Sequence, residues 1–232
     1  SAVRTGGEGG GRGGTAQFTC CRRARETAEP RRRAARYLGA MTDDRMDVRT
    51  SDRDRLPPGQ ILTRKWPVLH YSHVPRVDAE RWTFRIFGEV ERPCTLTWAE
   101  FTALPRREVT CDIHCVTTWS RYDNRFAGVP VRPLLERAGI RPTATHALVH
   151  AEPDYTTNLP LADLLKDENL LATHHDDAPL SAEHGGPVRL LVPHLYLWKS
   201  AKWVTGIELM EGDWPGFWEE NGYHMRGDPW QE

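Results

Sequence analysis

From Val109 to Cys115 the side chains alternate, with Val109, Cys111 and Ile113 on one face and Thr110, Asp112 and His114 on the other. A period of two predicts a strand half sunk in a core, and this one delivers Cys115 at its C-terminal end. A cysteine there is open to three readings. It can be a small buried hydrophobe, a nucleophile or a metal ligand, and the last two need a metal or a neighbouring positive charge to favour the thiolate. His114 stands beside it.

Other short periodic segments frame this strand. Trp82, Phe84 and Ile86 alternate with Thr83, Arg85 and Phe87 and stop at Gly88, which predicts a strand with one apolar face. Thr97-Trp98-Ala99-Glu100 has the pattern of a capping box opening a short helix that Pro105 ends. Val131 to Ala138 reads as a helix with Pro133 in its first turn and Gly139 past its end. His146 to His150 reads as a strand and Leu161 to Lys166 as a short helix. Residues 119–128 and 154–158 are rich in polar and aromatic side chains and are expected to be loops, as is a wrapping tail from Trp214 to Trp230. With strands outnumbering short helices and no regular βαβ alternation, the expected class is α+β with mixed β-sheets.

Charge separates the chain into two parts. Residues 1–40 hold nine arginines and three glutamates, and the whole chain is at −1, so the remainder stands at −7. The first part is glycine- and arginine-rich without apolar spacing and cannot supply a core. Residues 1–54 are therefore expected to form a disordered arm, with Met41 a plausible translation start inside it, and residues 55–232 a single domain. An acidic domain argues against nucleic acid as partner. Arg31-Arg32-Arg33 lacks the apolar stretch of an export signal, no apolar run is long enough to span a membrane, and five cysteines without paired spacing suit a reducing compartment. The expected location is cytoplasmic, with no membrane insertion.

Two further blocks bear on chemistry. Val68-Leu69-His70-Tyr71-Ser72-His73 places two histidines in an extended segment bounded by prolines, unsuited to a helical metal pair. His184-Gly185-Gly186-Pro187-Val188-Arg189, followed by Lys199-Ser200-Ala201-Lys202-Trp203, concentrates cations in an acidic domain, beside glycines that let backbone approach a ligand. Arginine offers a planar fork to a phosphate and lysine a point charge.

Together these blocks resemble the sulfite-oxidase-like, molybdopterin-dependent oxidoreductases across roughly residues 56–232, closest to the small single-domain soluble bacterial type. The segment from Asp112 through Cys115 to Trp119-Ser120 is similar to the one that gives molybdenum its protein ligand, which puts the metal on Cys115. The resemblance implies a sulfite-oxidase-like molybdopterin-binding fold and a molybdenum-molybdopterin cofactor without haem. It also implies contacts to that cofactor from His70, His73, His114, His184, Arg189, Lys199, Ser200 and Lys202. Catalysis would be oxygen-atom transfer on a small sulfur or nitrogen oxo-compound, with a separate carrier protein or quinone exchanging electrons. Animal and plant relatives hold sulfite with arginines at two places where this chain has Tyr71 and Ser120, which argues against sulfite as substrate. Arg121 and Arg125 are the nearest substitutes. A cysteine hydrolase or transferase pairing Cys115 with a histidine, or a non-catalytic pterin- or partner-binding module, are the competing readings. Deleting residues 1–40 should leave both melting temperature and activity unchanged, as thermal unfolding and assay of the truncated chain would show.

Overall fold

Burial follows the alternation. In the computed structural model, which describes residues 45–231, Phe84 and Ile86 are fully buried while Thr83 and Arg85 face solvent. Cys20 and Cys21 lie outside the described residues. In chain order the strands are β1 (Ile61–Leu62), β2 (Thr83–Gly88), β3 (Cys94–Thr97), β4 (Arg107–Cys115), β5 (Trp119–Pro130) and β6 (His146–Ala151). They continue as β7 (Tyr155–Pro160), β8 (Leu170–His175), β9 (Ala178–Pro179), β10 (Arg189–Leu191) and β11 (Val204–Met210). The helices are α1 (Trp98–Thr102), α2 (Val131–Ala138), α3 (Leu161–Leu164) and α4 (Phe217–Glu220).

The strands form two mixed sheets, in accord with the expected α+β class. One has five strands in the order β3-β2-β11-β6-β7, with β2 and β11 parallel and the other pairs antiparallel. The other has six and is centred on β5, which pairs with β4 and β8 antiparallel and with β1 parallel. The larger core joins the two sheets through Phe84, Ile207, Val149, Leu135 and Leu190. A smaller one, with Ile113, Cys115, Trp119, Phe126, Leu180 and Leu191, lies against β4 and β5. Helix α1 opens with the expected capping box: Glu100 N–H donates to Thr97 Oγ1, and Thr97 N–H donates to Glu100 Oε2 at 2.8 Å.

Three expectations change. Residues 119–128 are strand, not loop, because β5 has partners on both sides and its charges are met by residues distant in sequence. Arg121 pairs with Asp176 at 2.8 Å, Arg125 with Asp177, and Asn124 donates to Cys111 O at 3.2 Å. Residues 154–158 run into β7, which pairs with β6 and buries Thr157 and Asn158. The tail wraps only in part: Phe217 and Trp218 pack on the larger core, but Trp214 and Trp230 stay exposed.

Of the expected arm, residues 1–44 lie outside the described residues, whereas 45–54 contact the domain. Arg45 bridges Thr63, and residues 50–55 make a 3-10 turn. The adjoining Arg55 binds Asp112 at 2.6 and 2.9 Å and Asp123 at 2.6 Å. Gly128 marks where β5 shifts register against β8. A Cβ there would overlap Leu171 O and lie 2.6 Å from Ala172 Cα, both backbone atoms that cannot rotate away. Gly128→Ala is expected to cost at least about 1–3 kcal/mol, seen as a lower urea midpoint.

Candidate active site

Cys115 closes β4 and is buried in the smaller core with Ile113, Trp119 and Leu191, against which Trp66, Leu69 and Leu197 pack. The chain leaves the strand in a turn closed by Thr118 N–H on Cys115 O at 3.0 Å. A second donor, Gln60 Nε2, reaches the same carbonyl at 3.1 Å. The sulfur itself meets Thr117 Oγ1 at 3.1 Å. Burial pushes the thiol pKa up, while the Thr117 hydrogen bonds and the Lys202 charge oppose that rise.

His114, one residue earlier, sits in a buried chain with other partners. Its Nδ1 lies 2.8 Å from Ser120 Oγ, and that hydroxyl donates to Gln60 Oε1 at 3.2 Å. Burial, opposed by Asp112, brings the imidazole pKa down to about 4, so it is neutral at pH 7.

The cationic block comes together beside this turn. Gly185, in the left-handed region at φ +103°, lets two segments touch: a Cβ there would lie 2.9 Å from Lys202 Cβ and 3.1 Å from Arg189 Cβ. Arg189, 2% exposed, donates from Nη1 to His184 O and from Nη2 to Ser200 O, both at 2.9 Å, and its guanidinium lies 5.2 Å from the Trp66 ring centroid. Its Nε is buried without a partner. Burial lowers its pKa to about 10. Lys202 Nζ donates to Leu69 O at 2.9 Å and Glu183 O at 2.6 Å. Burial, then the charge of Arg189, brings the ammonium pKa down to about 7, against the pull of Cys115 and Glu183.

His184 stacks on Trp66 at 4.1 Å, and its Nδ1 is also buried without a partner. His175 is tilted against the same indole at 4.4 Å, with Arg121 Nη1 2.9 Å from its Nε2. Burial, with the nearby cations, holds both imidazoles near pKa 4.

Cys115, His184, Arg189 and Lys202 are thus brought together, and other expected site residues are placed differently. Lys199 Nζ is sealed in the interior, donating to Asn158 O, Asn158 Oδ1 and Met225 O and pairing with Glu219 at 2.6 Å. That ammonium is fully used by these partners, none of which is a member of the cluster. The Ser200 hydroxyl accepts from Val192 N–H at 2.9 Å, so this residue serves the fold and, through its carbonyl, Arg189. His70 is exposed near Trp203, at 6.1 Å, and its pKa is lowered by slight burial and by Lys202. His73 is exposed, with Ser72 Oγ at 3.1 Å. Tyr71 packs on Phe217 and donates to Pro153 O.

No periodicity or motif in the sequence marks Trp66, His175, Thr117 or Gln60 as site residues. Only Thr117 has a local cue, its place two positions past the cysteine. A groove of about 700 Å³ on the five-stranded sheet, with Arg76, Arg81, Arg85 and His150 in its wall, includes neither Cys115 nor the cation cluster.

The donor set fits a soft metal brought by an anionic organic cofactor. A thiolate suits such a metal, and the orphaned Arg189 Nε–H and His184 Nδ1 lie buried in a positive cluster. Among the described residues no group of three His, Cys, Asp or Glu side chains is placed to hold a metal ion, so a metal on Cys115 would draw further ligands from a cofactor. Also among them, no helix is long and apolar enough to cross a membrane.

Comparison with known proteins agrees. The family model for an oxidoreductase molybdopterin binding domain matches residues 71–218. The chain is 49% identical over 186 residues to the uncharacterized oxidoreductase YuiH of Bacillus subtilis, covering 79% of this chain and 94% of that protein. To mitochondrial sulfite oxidase of Drosophila melanogaster it is 26% identical over 183 residues, 67% of this chain but 32% of the fly protein. Among solved structures, the sulfane dehydrogenase SoxCD from Paracoccus pantotrophus shares the fold, with a TM-score of 0.58 at 18% identity over 87% of this chain and 57% of that one.

An anion at this cluster favours protonated Lys202, whereas Arg189 keeps its charge to about 10 and the two histidines are neutral above about 4. Sulfate, which does not itself titrate here, should therefore bind the cofactor-free protein more weakly as pH rises through about 7. Lys202→Met should flatten that dependence in calorimetric titrations at a series of pH values.

Proposed function

The chain belongs to the molybdopterin-binding oxidoreductases, a molybdenum-dependent class, and from that premise we propose that it transfers an oxygen atom on a small sulfur or nitrogen oxo-compound. Cys115 is the protein ligand to the metal in this reading. The observation that carries it is the placement of that sulfur near Lys202, which in turn stands near Arg189, a buried cation that no carboxylate among the described residues neutralises. When bound, the cofactor supplies the two-electron oxygen-atom transfer.

The chain's own groups bind and orient. Lys202 and Arg189 hold the negative charge of the cofactor, and the orphaned Arg189 Nε–H and His184 Nδ1 offer hydrogen bonds to it. Trp66, stacked on His184, keeps water from that side. His70 and His73 stand on the exposed loop that follows Leu69, whose carbonyl Lys202 holds.

Substrate choice follows from which cations remain. Ser120 is fully buried and committed to His114 and Gln60, and Tyr71 is committed to the core. Arg121 and Arg125, the nearest substitutes, are neutralised by Asp176 and Asp177. An oxo-compound without net charge, such as a sulfoxide or N-oxide, suits this setting better than the sulfite dianion. Electrons would be exchanged with a separate carrier protein or a quinone. A cysteine hydrolase is less well supported, since the polar group on Sγ is the Thr117 hydroxyl and not a histidine.

Purified protein is expected to carry near-stoichiometric molybdenum by elemental analysis, and Cys115→Ala to lose it. Dye-linked assays should show turnover of sulfoxides or N-oxides, with kcat/KM for sulfite about tenfold or more lower per missing cationic contact. Cofactor without turnover on any of these would leave a binding module instead. Molybdenum absent from competently expressed protein would overturn the reading altogether.

A further inference from the structure

Among the described residues, the polar partner of the Thr117 hydroxyl is the sulfur of Cys115 at 3.1 Å. In a free thiol either atom could donate. A metal-bound thiolate has no proton, so the contact then runs one way, O–H to sulfur.

The geometry also leaves little slack. The peptide carbonyl of Cys115 is held by Thr118 N–H at 3.0 Å and Gln60 Nε2 at 3.1 Å, which pins the start of the turn. The turn ends at Thr118 with φ +68°, a left-handed conformation that a β-branched residue adopts only when its surroundings impose it. Gln60 is itself buried and held by Ser120. The backbone on both sides of Thr117 is thus fixed, and its side chain is presented to the sulfur by a strained turn.

We infer that Thr117 is a positioning residue that tunes the metal centre, its hydroxyl donating a hydrogen bond to the ligand sulfur and so setting the reduction potential. This rests on Cys115 being the metal ligand. A donor on the thiolate withdraws electron density from the sulfur and makes the lower oxidation state of the metal easier to reach. Removing it should lower the midpoint potential. A threonine that served only to fill space would leave the potential alone if its shape were preserved.

The test compares the wild-type holoenzyme with Thr117→Val, which keeps the shape and loses the hydroxyl, and Thr117→Ser, which keeps the hydroxyl and loses the methyl group. Each is checked for fold by circular dichroism and for molybdenum by elemental analysis, then titrated by redox potentiometry. The expected result is a lower potential in Thr117→Val, by about a tenfold change in the oxidised-to-reduced ratio, ~59 mV for one electron, with wild-type behaviour restored in Thr117→Ser. Thr117→Ala carries the comparison if Thr117→Val does not fold. Equal metal content with an unmoved potential in the hydroxyl-free variant overturns the inference alone. A shift of equal size in Thr117→Ser also overturns it, since shape and not the hydrogen bond would then be responsible. Wild-type protein without molybdenum overturns the underlying reading and this inference with it.

Discussion

A guanidinium buried without a carboxylate among the described residues is the constraint on which the candidate site is built. Burying an unneutralised charge is costly, and Arg189 meets that cost only partly, with two carbonyl oxygens and the face of an indole. Those bonds also organise the chain. One prong of the fork takes the carbonyl of His184 and the other that of Ser200, so the glycine turn and the segment before Lys202 are registered on a single side chain. What remains is a positive charge and an N–H with no partner.

Lys199 shows the contrast. It is as deeply buried, yet Glu219 stands 2.6 Å from its ammonium and three oxygen acceptors complete the shell. Losing one partner of such a pair typically costs about 3–5 kcal/mol, because the other charge is left stranded. Two cations from one short segment therefore do different jobs. The one with an internal counter-ion fastens α4 to the fold, and the one without it is left free, in the function proposed above, for a negative charge from outside.

That distinction was not legible in the sequence, where Arg189, Lys199 and Lys202 all look like members of one cationic block. The burial partner that decides it, Glu219, lies in a tail whose structure no periodicity announced. The strand-end position of Cys115 was legible from the apolar residues at 109, 111 and 113, although β4 shifts register between Cys111 and Ile113 and buries His114 as well as Cys115 at its end; so were α1 and α2, whose signals are local. Strand β5 was missed because Arg121, Asn124 and Arg125 look like solvent-facing loop residues until β8 and the turn after it supply Asp176 and Asp177. His175 and Trp66 escaped for the same reason: their roles come from each other and from His184, and a chain read in order does not show which side chains share a stack.

The turn after Cys115 is braced from upstream. Gln60 and the parallel pairing of β1 with Trp119 and Ser120 come from a segment that Arg55 ties down on Asp112. The chemistry thus sits in the middle of the chain, but the scaffolding that holds it still begins some sixty residues before. A minimal catalytic fragment cut just downstream of Leu62 would keep every group proposed to touch the cofactor and still lose its grip on the ligand loop. The smallest piece able to work is larger than the piece that bears the reactive atoms.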